Sequence, residues 1–188
     1  MTDIILAGVG GQGTVLASKL LARAAMNNGL FVRTAETIGM AQRGGCVVTH
    51  VRIGDSDSSM IPLGAADAII SFEPGEAVRN LGYLKPDGMV ITAANGVIPV
   101  TASLGGCGYD PAAMVAYLEK NVARVKAVDV DKVAAECGSF KVINVALLGA
   151  AARFGLGAIT IDALEEAVRE MVPPKFLELN LKALSIIE

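Results

Sequence analysis

Apolar positions fall into short runs and then into helical spacing from the start of the chain. Asp3 to Gly8 predicts a buried first strand. From Gly11 to Asn28, Val15, Leu16, Leu20, Leu21 and Ala24 recur at helical spacing, and Asn28-Gly29 offers a positive-φ residue to close that helix. Leu30 to Thr34 predicts a second strand. Val47, Thr49, Val51 and Ile53 alternate with Val48, His50 and Arg52, which predicts a half-buried strand ended by the Gly54–Ser59 turn. Further strands are expected at Ala68–Phe72, Met89–Ala93 and Val125–Val128, with a turn at Lys85-Pro86-Asp87-Gly88. Helices are expected at Gly75–Asn80, Pro111–Asn121 and Asp131–Cys137, and a Gly-rich surface loop at 101–109. Lys141–Phe154 is helical and apolar nearly all round, which predicts burial on several sides. Asp162 is expected to cap a helix bearing Leu164, Val168 and Met171, and Pro173-Pro174 to start a last one. Strands alternating with helices make an α/β fold: a single Rossmann-like domain over residues 1–188, with a mostly parallel sheet and a helical C-terminal part.

Composition narrows the partners. Hydrophobic residues make up 53% of the chain and mean hydropathy is +0.52. The longest apolar stretch, 142–159, is broken by Asn144 and Arg153, so no membrane span is expected. An apolar excess of this kind points to an interface with other subunits, including a homodimer of the isolated chain. A net charge of −3 leaves no basic face for nucleic acid. Met1-Thr2-Asp3 lacks the positive region of a signal peptide, which makes the cytoplasm the expected compartment. Cys46, Cys107 and Cys137 are far apart and form neither C-x-x-C nor an iron–sulfur spacing.

The chemistry gathers in two stretches. Gly8, Gly10 and Gly13 have the G-x-G-x-x-G spacing between a strand and a helix. In such a loop the first glycine permits a tight turn, the second lets a phosphate approach the backbone, and the third lets the helix pack closely. The helix N-terminus then presents N–H donors to an anion. Gly11 and Gln12 complete the loop, and Glu36 follows the second strand where a ribose-binding acid would sit. A packing role for the same glycines stays open. The second stretch, AQRGG, sets the planar cation Arg43 before Gly44 and Gly45, an arrangement suited to carboxylate or phosphate or to a local acid such as Glu36. His50, the single histidine, fits a structural role in its strand. Glu76 and Arg79 are spaced for local helical support. The site candidates are Gly8, Gly10, Gly11, Gln12, Gly13, Glu36, Arg43, Gly44 and Gly45, with no catalytic residue and no metal ligand assigned. Three readings remain: a complex subunit, a stand-alone NAD(P)-binding oxidoreductase, and a non-catalytic interaction module.

ILAGVGGQGTVLASKLLARAA, TAETIGMAQRGGCVVTHVRIG, ADAIISFEPGEAVRNLGYLKPDG, NVALLGAAARFG and VPPKFLELNLKAL together resemble the gamma-type subunit of 2-oxoacid:ferredoxin oxidoreductases. Within that family they are most similar to the beta subunit of the indolepyruvate enzymes. The resemblance covers almost the whole chain in order, and G-x-G-G-Q-G with G-M-x-Q-R-G-G is far more specific than the glycines alone. It implies a shared activity: oxidative decarboxylation of a 2-oxoacid to an acyl-CoA, with electrons passed to ferredoxin. Thiamine diphosphate, magnesium and iron–sulfur clusters are implied on partner subunits. This chain is implied to pack against the thiamine-bearing subunit, help form a coenzyme A site, and reach ferredoxin through the complex. Ile38 stands where indolepyruvate-type members commonly have His, which leaves the particular oxoacid open.

Overall fold

The computed structural model describes residues 1–37, 45–96 and 108–187. Six strands form one sheet: β1 (Thr2–Val9), β2 (Val32–Thr37), β3 (Cys46–Ile53), β4 (Ala66–Ser71), β5 (Leu84–Ala93) and β6 (Arg124–Val128). The order across the sheet is β2-β3-β1-β4-β5-β6. β1, β4, β5 and β6 pair in parallel, and β3 runs antiparallel to both β1 and β2. Five strands therefore share one direction, and β3 is a reversed wedge between the first two.

Seven α-helices cover the sheet among the described residues: α1 (Thr14–Asn27), α2 (Pro74–Arg79), α3 (Pro111–Asn121), α4 (Val130–Cys137), α5 (Ile143–Gly155), α6 (Ile161–Met171) and α7 (Pro174–Ser185). The pleat divides β1 between two cores. Ile4 and Leu6 join the larger core with residues of α1 and α4–α7, and Ile5 and Ala7 join the smaller one with Ala77 of α2 and Leu118 of α3.

Local chemistry explains most of the boundaries. Asp110 caps α3 by accepting from Ala112 N, with Pro111 at the first helical position. α1 ends at Asn28, and Gly29 takes φ +71. α5 is buried from Asn144 through Ala151, as an all-round apolar helix should be. Its cover comes from this chain: α1, α4, α6, α7 and the sheet all pack against it. The apolar middle of α5, from Asn144 to Ala151, is thus covered within the fold.

Three local expectations change. β3 is buried on both faces from Thr49 to Ile53, because α1 covers one side and the smaller core the other. The Lys85–Gly88 turn lies inside β5 as a bulge: Ala66 pairs with Leu84 and Ala68 with Met89, so the intervening residues loop out. Thr160, not Asp162, caps α6, because its hydroxyl accepts from Ala163 N and leaves Asp162 in the first turn. Among the described residues no single helix is long and apolar enough to cross a membrane.

Candidate functional site

The loop after β1 is held from three directions. Gly10 N donates to Gly45 O at 2.9 Å, which joins the glycine loop to the lead-in of β3. The Gln12 carboxamide accepts from Val9 N at 2.7 Å and donates to Phe72 O at 3.0 Å, bridging the ends of β1 and β4. Asn144 of α5 donates from Nδ2 to Gly13 O at 3.2 Å. Gly45, the last residue of the second motif, therefore meets the glycine loop in space.

Gly8, Gly11 and Gly13 serve different purposes. A Cβ on Gly8 would lie 2.8 Å from Gln12 Oε1 and 3.1 Å from the Phe72 ring, so Gly8, still within the strand, clears space for Gln12. The turn falls to Gly11, at φ +102 with nothing within 4 Å of a built Cβ. Gly13 takes φ +82 at the start of α1, and its Cβ would lie 2.5 Å from Asn144 Nδ2. Its close packing is against α5 rather than the sheet. α1 has no side-chain cap, so its first N–H groups are left for a ligand or solvent.

Beside this loop lies a cavity of about 500 Å³, within the usual range for small-molecule sites. Gly11–Gly13 follow β1, Phe72 follows β4, Asn95 and Gly96 follow β5, and Val130 and Asp131 follow β6, so the cavity runs along the carboxyl ends of four neighbouring parallel strands. Three inter-strand steps make a span of roughly 14 Å. β1 and β4 are also where the chain changes direction across the sheet, the usual ligand position in open α/β folds. Lys141 and Asn144 close the side formed by α5 and its preceding turn, and Phe140 adds an exposed ring. Asn95 accepts from Val130 N at 3.1 Å and donates to Asp131 at 2.7 Å, which fixes the far end. Asn95, Asp131, Lys141 and Asn144 were not among the sequence candidates. For Asn95 and Asp131 the one sequence signal is their position just past β5 and β6, whereas Lys141 and Asn144 follow α4 and carry no such signal.

Glu36 is placed elsewhere. It lies on β2, with all of β3 between it and β1, and its carboxylate accepts from Ser18 Oγ at 3.2 Å. It does not line the cavity. Arg43 and Gly44, like Ile38, Cys107 and most of the 101–109 loop, lie outside the described residues. Gly45 is placed, at the Gly10 contact.

A second polar group sits at the carboxyl end of β4. Glu73 is fully buried, accepts from Glu76 N at 2.9 Å, and receives the Tyr109 hydroxyl. Burial pushes its carboxyl above the usual range. Glu76, also buried, accepts from Cys46 Sγ at 3.1 Å and pairs with Arg79. Burial and the neighbouring carboxylate raise the Cys46 thiol, which keeps it protonated and a poor nucleophile. His50 is structural: its Nδ1 accepts from Ile61 N and its ring meets Tyr83 edge-on. Among the described residues no cluster of His, Cys, Asp and Glu is arranged to hold a metal ion.

Residues 3–186 match the family model described as pyruvate ferredoxin/flavodoxin oxidoreductase. The chain belongs to that family. It is 41% identical to indolepyruvate oxidoreductase subunit IorB of Archaeoglobus fulgidus, over 98% of this chain and 92% of that one. Among solved structures it resembles the gamma subunit of a keto/oxoacid ferredoxin oxidoreductase from Geobacter sulfurreducens, with a TM-score of 0.73 and 25% identity over 99% of this chain and 95% of that one. It shares its fold with part of a 2-oxoglutarate:ferredoxin oxidoreductase from Magnetococcus marinus, solved with coenzyme A bound, at a TM-score of 0.70 and 22% identity over 98% of this chain and 30% of that one. The oxidoreductase family and its gamma-type fold are thus those implied by the two sequence motifs.

Proposed function

We propose that this chain is the gamma-type subunit of a 2-oxoacid:ferredoxin oxidoreductase and that its glycine loop and cavity form part of a coenzyme A site shared with a thiamine-bearing subunit. The Gly10–Gly45 hydrogen bond carries this, since it sets Gly45, the last residue of AQRGG, against the glycine loop that leads into the uncapped start of α1. Together these supply N–H donors and, through Arg43, a guanidinium for a phosphate group. Thiamine diphosphate, magnesium and the iron–sulfur clusters belong to partner subunits, where they supply decarboxylation and electron transfer to ferredoxin. The substrate is indolepyruvate or a related 2-oxoacid. The isolated chain forms a homodimer and works in the cytoplasm without nucleic acid or membrane. A stand-alone nicotinamide enzyme has less support, because β3 separates Glu36 from the loop that would hold the dinucleotide.

The test is reconstitution with the thiamine and iron–sulfur subunit, following ferredoxin reduction with indolepyruvate, pyruvate and branched 2-oxoacids. The purified chain alone is expected to be colourless and inactive. Arg43→Ala is expected to weaken coenzyme A binding about 10- to 150-fold, the worth of a charge-assisted hydrogen bond, with Arg43→Lys recovering part of it. Oxoacid oxidation by the chain alone, or unchanged coenzyme A affinity in Arg43→Ala, would overturn this assignment.

A further inference from the structure

We infer that Asn144 is a positioning residue for the glycine loop, and that the glycine at position 13, which its φ of +82 already favours, also makes room for the Asn144 side chain. Asn144 is 3% exposed, in the first turn of α5, 131 residues from the loop it contacts. Its Oδ1 accepts from Val145 N at 3.0 Å, which leaves Nδ2 facing the Gly13 carbonyl. That carbonyl already receives Ala17 N at 3.0 Å, the first bond of α1. One oxygen thus ties the start of α1 to the start of α5.

The steric fit agrees with the hydrogen bond. A Cβ at position 13 would meet Nδ2 at 2.5 Å and Cγ at 3.2 Å, too close for both side chains to stay in place. Gly11 differs, because nothing lies within 4 Å of its built Cβ. Asn144 also lines the cavity together with Lys141 and Ile143. Its amide therefore sets the loop against the α5 wall and fixes where the open N–H groups of α1 point. Gln12 and Gly45 hold the loop from the sheet side, and Asn144 alone, among the described residues, holds it from the helix side.

This inference rests on the proposal that the loop meets an anionic part of coenzyme A. The test uses the reconstituted complex and measures kcat, the KM for coenzyme A and the KM for the oxoacid. Asn144→Ala is expected to raise the coenzyme A KM about two- to tenfold, the net worth of one hydrogen bond, with kcat and the oxoacid KM little changed. Asn144→Asp is expected to do more, because a carboxylate oxygen would face the Gly13 carbonyl. Gly13→Ala should raise the same KM, and adding Asn144→Gly should recover part of the loss by removing the 2.5 Å contact. Gly11→Val serves as the control on the loop itself. If Gly11→Val raises the coenzyme A KM while both Asn144 variants leave it unchanged, the role of Asn144 is overturned and the loop assignment stands. If Gly11→Val also leaves it unchanged, the loop assignment itself falls. Equal losses in kcat and both KM values, with no recovery in the double variant, would make Asn144 a folding residue only.

Discussion

Gln12 Nε2 donates to the Phe72 carbonyl at 3.0 Å, joining two strand ends that are 60 residues apart in sequence. Its Oε1 is occupied as well, by Val9 N. The carboxamide therefore completes backbone hydrogen bonding at the mouth of the cavity. Gln12→Glu is the informative substitution: a carboxylate can still accept from Val9 N but cannot donate to Phe72 O. It is expected to lower stability by about 1–3 kcal/mol, the cost of leaving a buried polar group unpaired. Urea denaturation of the chain checks this, and a change below about 0.5 kcal/mol would show that the bridge is not formed in solution.

Arg52 and Asp3 form a nearly buried pair, with contacts of 2.9 and 3.0 Å. Arg52 also donates to the carbonyls of Ser58 and Met60, which shapes the turn after β3. Arg52→Ala strands the Asp3 carboxylate inside the fold and is expected to cost about 3–5 kcal/mol. Asp3→Asn combined with Arg52→Met should be milder than Arg52→Ala alone, because no charge is then left without its partner. Comparing the unfolding free energies of the two proteins decides it.

Burial lowers the His50 pKa below 6.5, and the Arg52 charge adds to the effect. The neutral ring is the form that accepts from Ile61 N. Below pH 6.5 the unfolded chain therefore binds more protons than the folded one, and stability falls as pH drops toward the folded pKa. His50→Asn keeps an acceptor near Nδ1 and is expected to remove this slope. Melting temperatures between pH 5 and 7.5 provide the measurement.

Glu73 has the opposite sign. Its folded pKa is raised above 4.5 by burial, so its stabilising contribution is complete below that value and is lost as pH rises through the folded pKa. Glu73→Gln is expected to be more stable than the parent at neutral pH, and the difference should vanish below pH 4.5. A parent that stays the more stable of the two at pH 7 would show that the ionised carboxylate is well compensated by Glu76 N and Tyr109.

These pairs show why part of the structure was legible in the sequence and part was not. α3 could be read to the residue because Asp110, Pro111 and the apolar spacing all act locally. β3 could be read as a strand, but alternation carries no direction, and its antiparallel insertion is what moves Glu36 away from the loop. The glycine loop and Gly45 were both visible, but their contact was not, and nothing in the sequence pointed to Phe72 and Asn144, which reach the loop from distant parts of the chain. The cavity was hidden for the same reason, since four strand ends contribute to it and no single stretch contains it.

α5 also constrains how the chain is made. The close approach at Gly149, where a Cβ would lie 2.2 Å from Leu184 O, places α7 directly on its backbone. α6 and α7 follow α5 in sequence, so a ribosome releases this apolar helix before the segments that cover it. For that interval the nascent chain presents an adhesive surface that the finished molecule never shows, the stage at which chaperones matter most. Removing residues from Pro174 onward would make that interval permanent, and aggregation during expression, rather than loss of a particular activity, is the expected result.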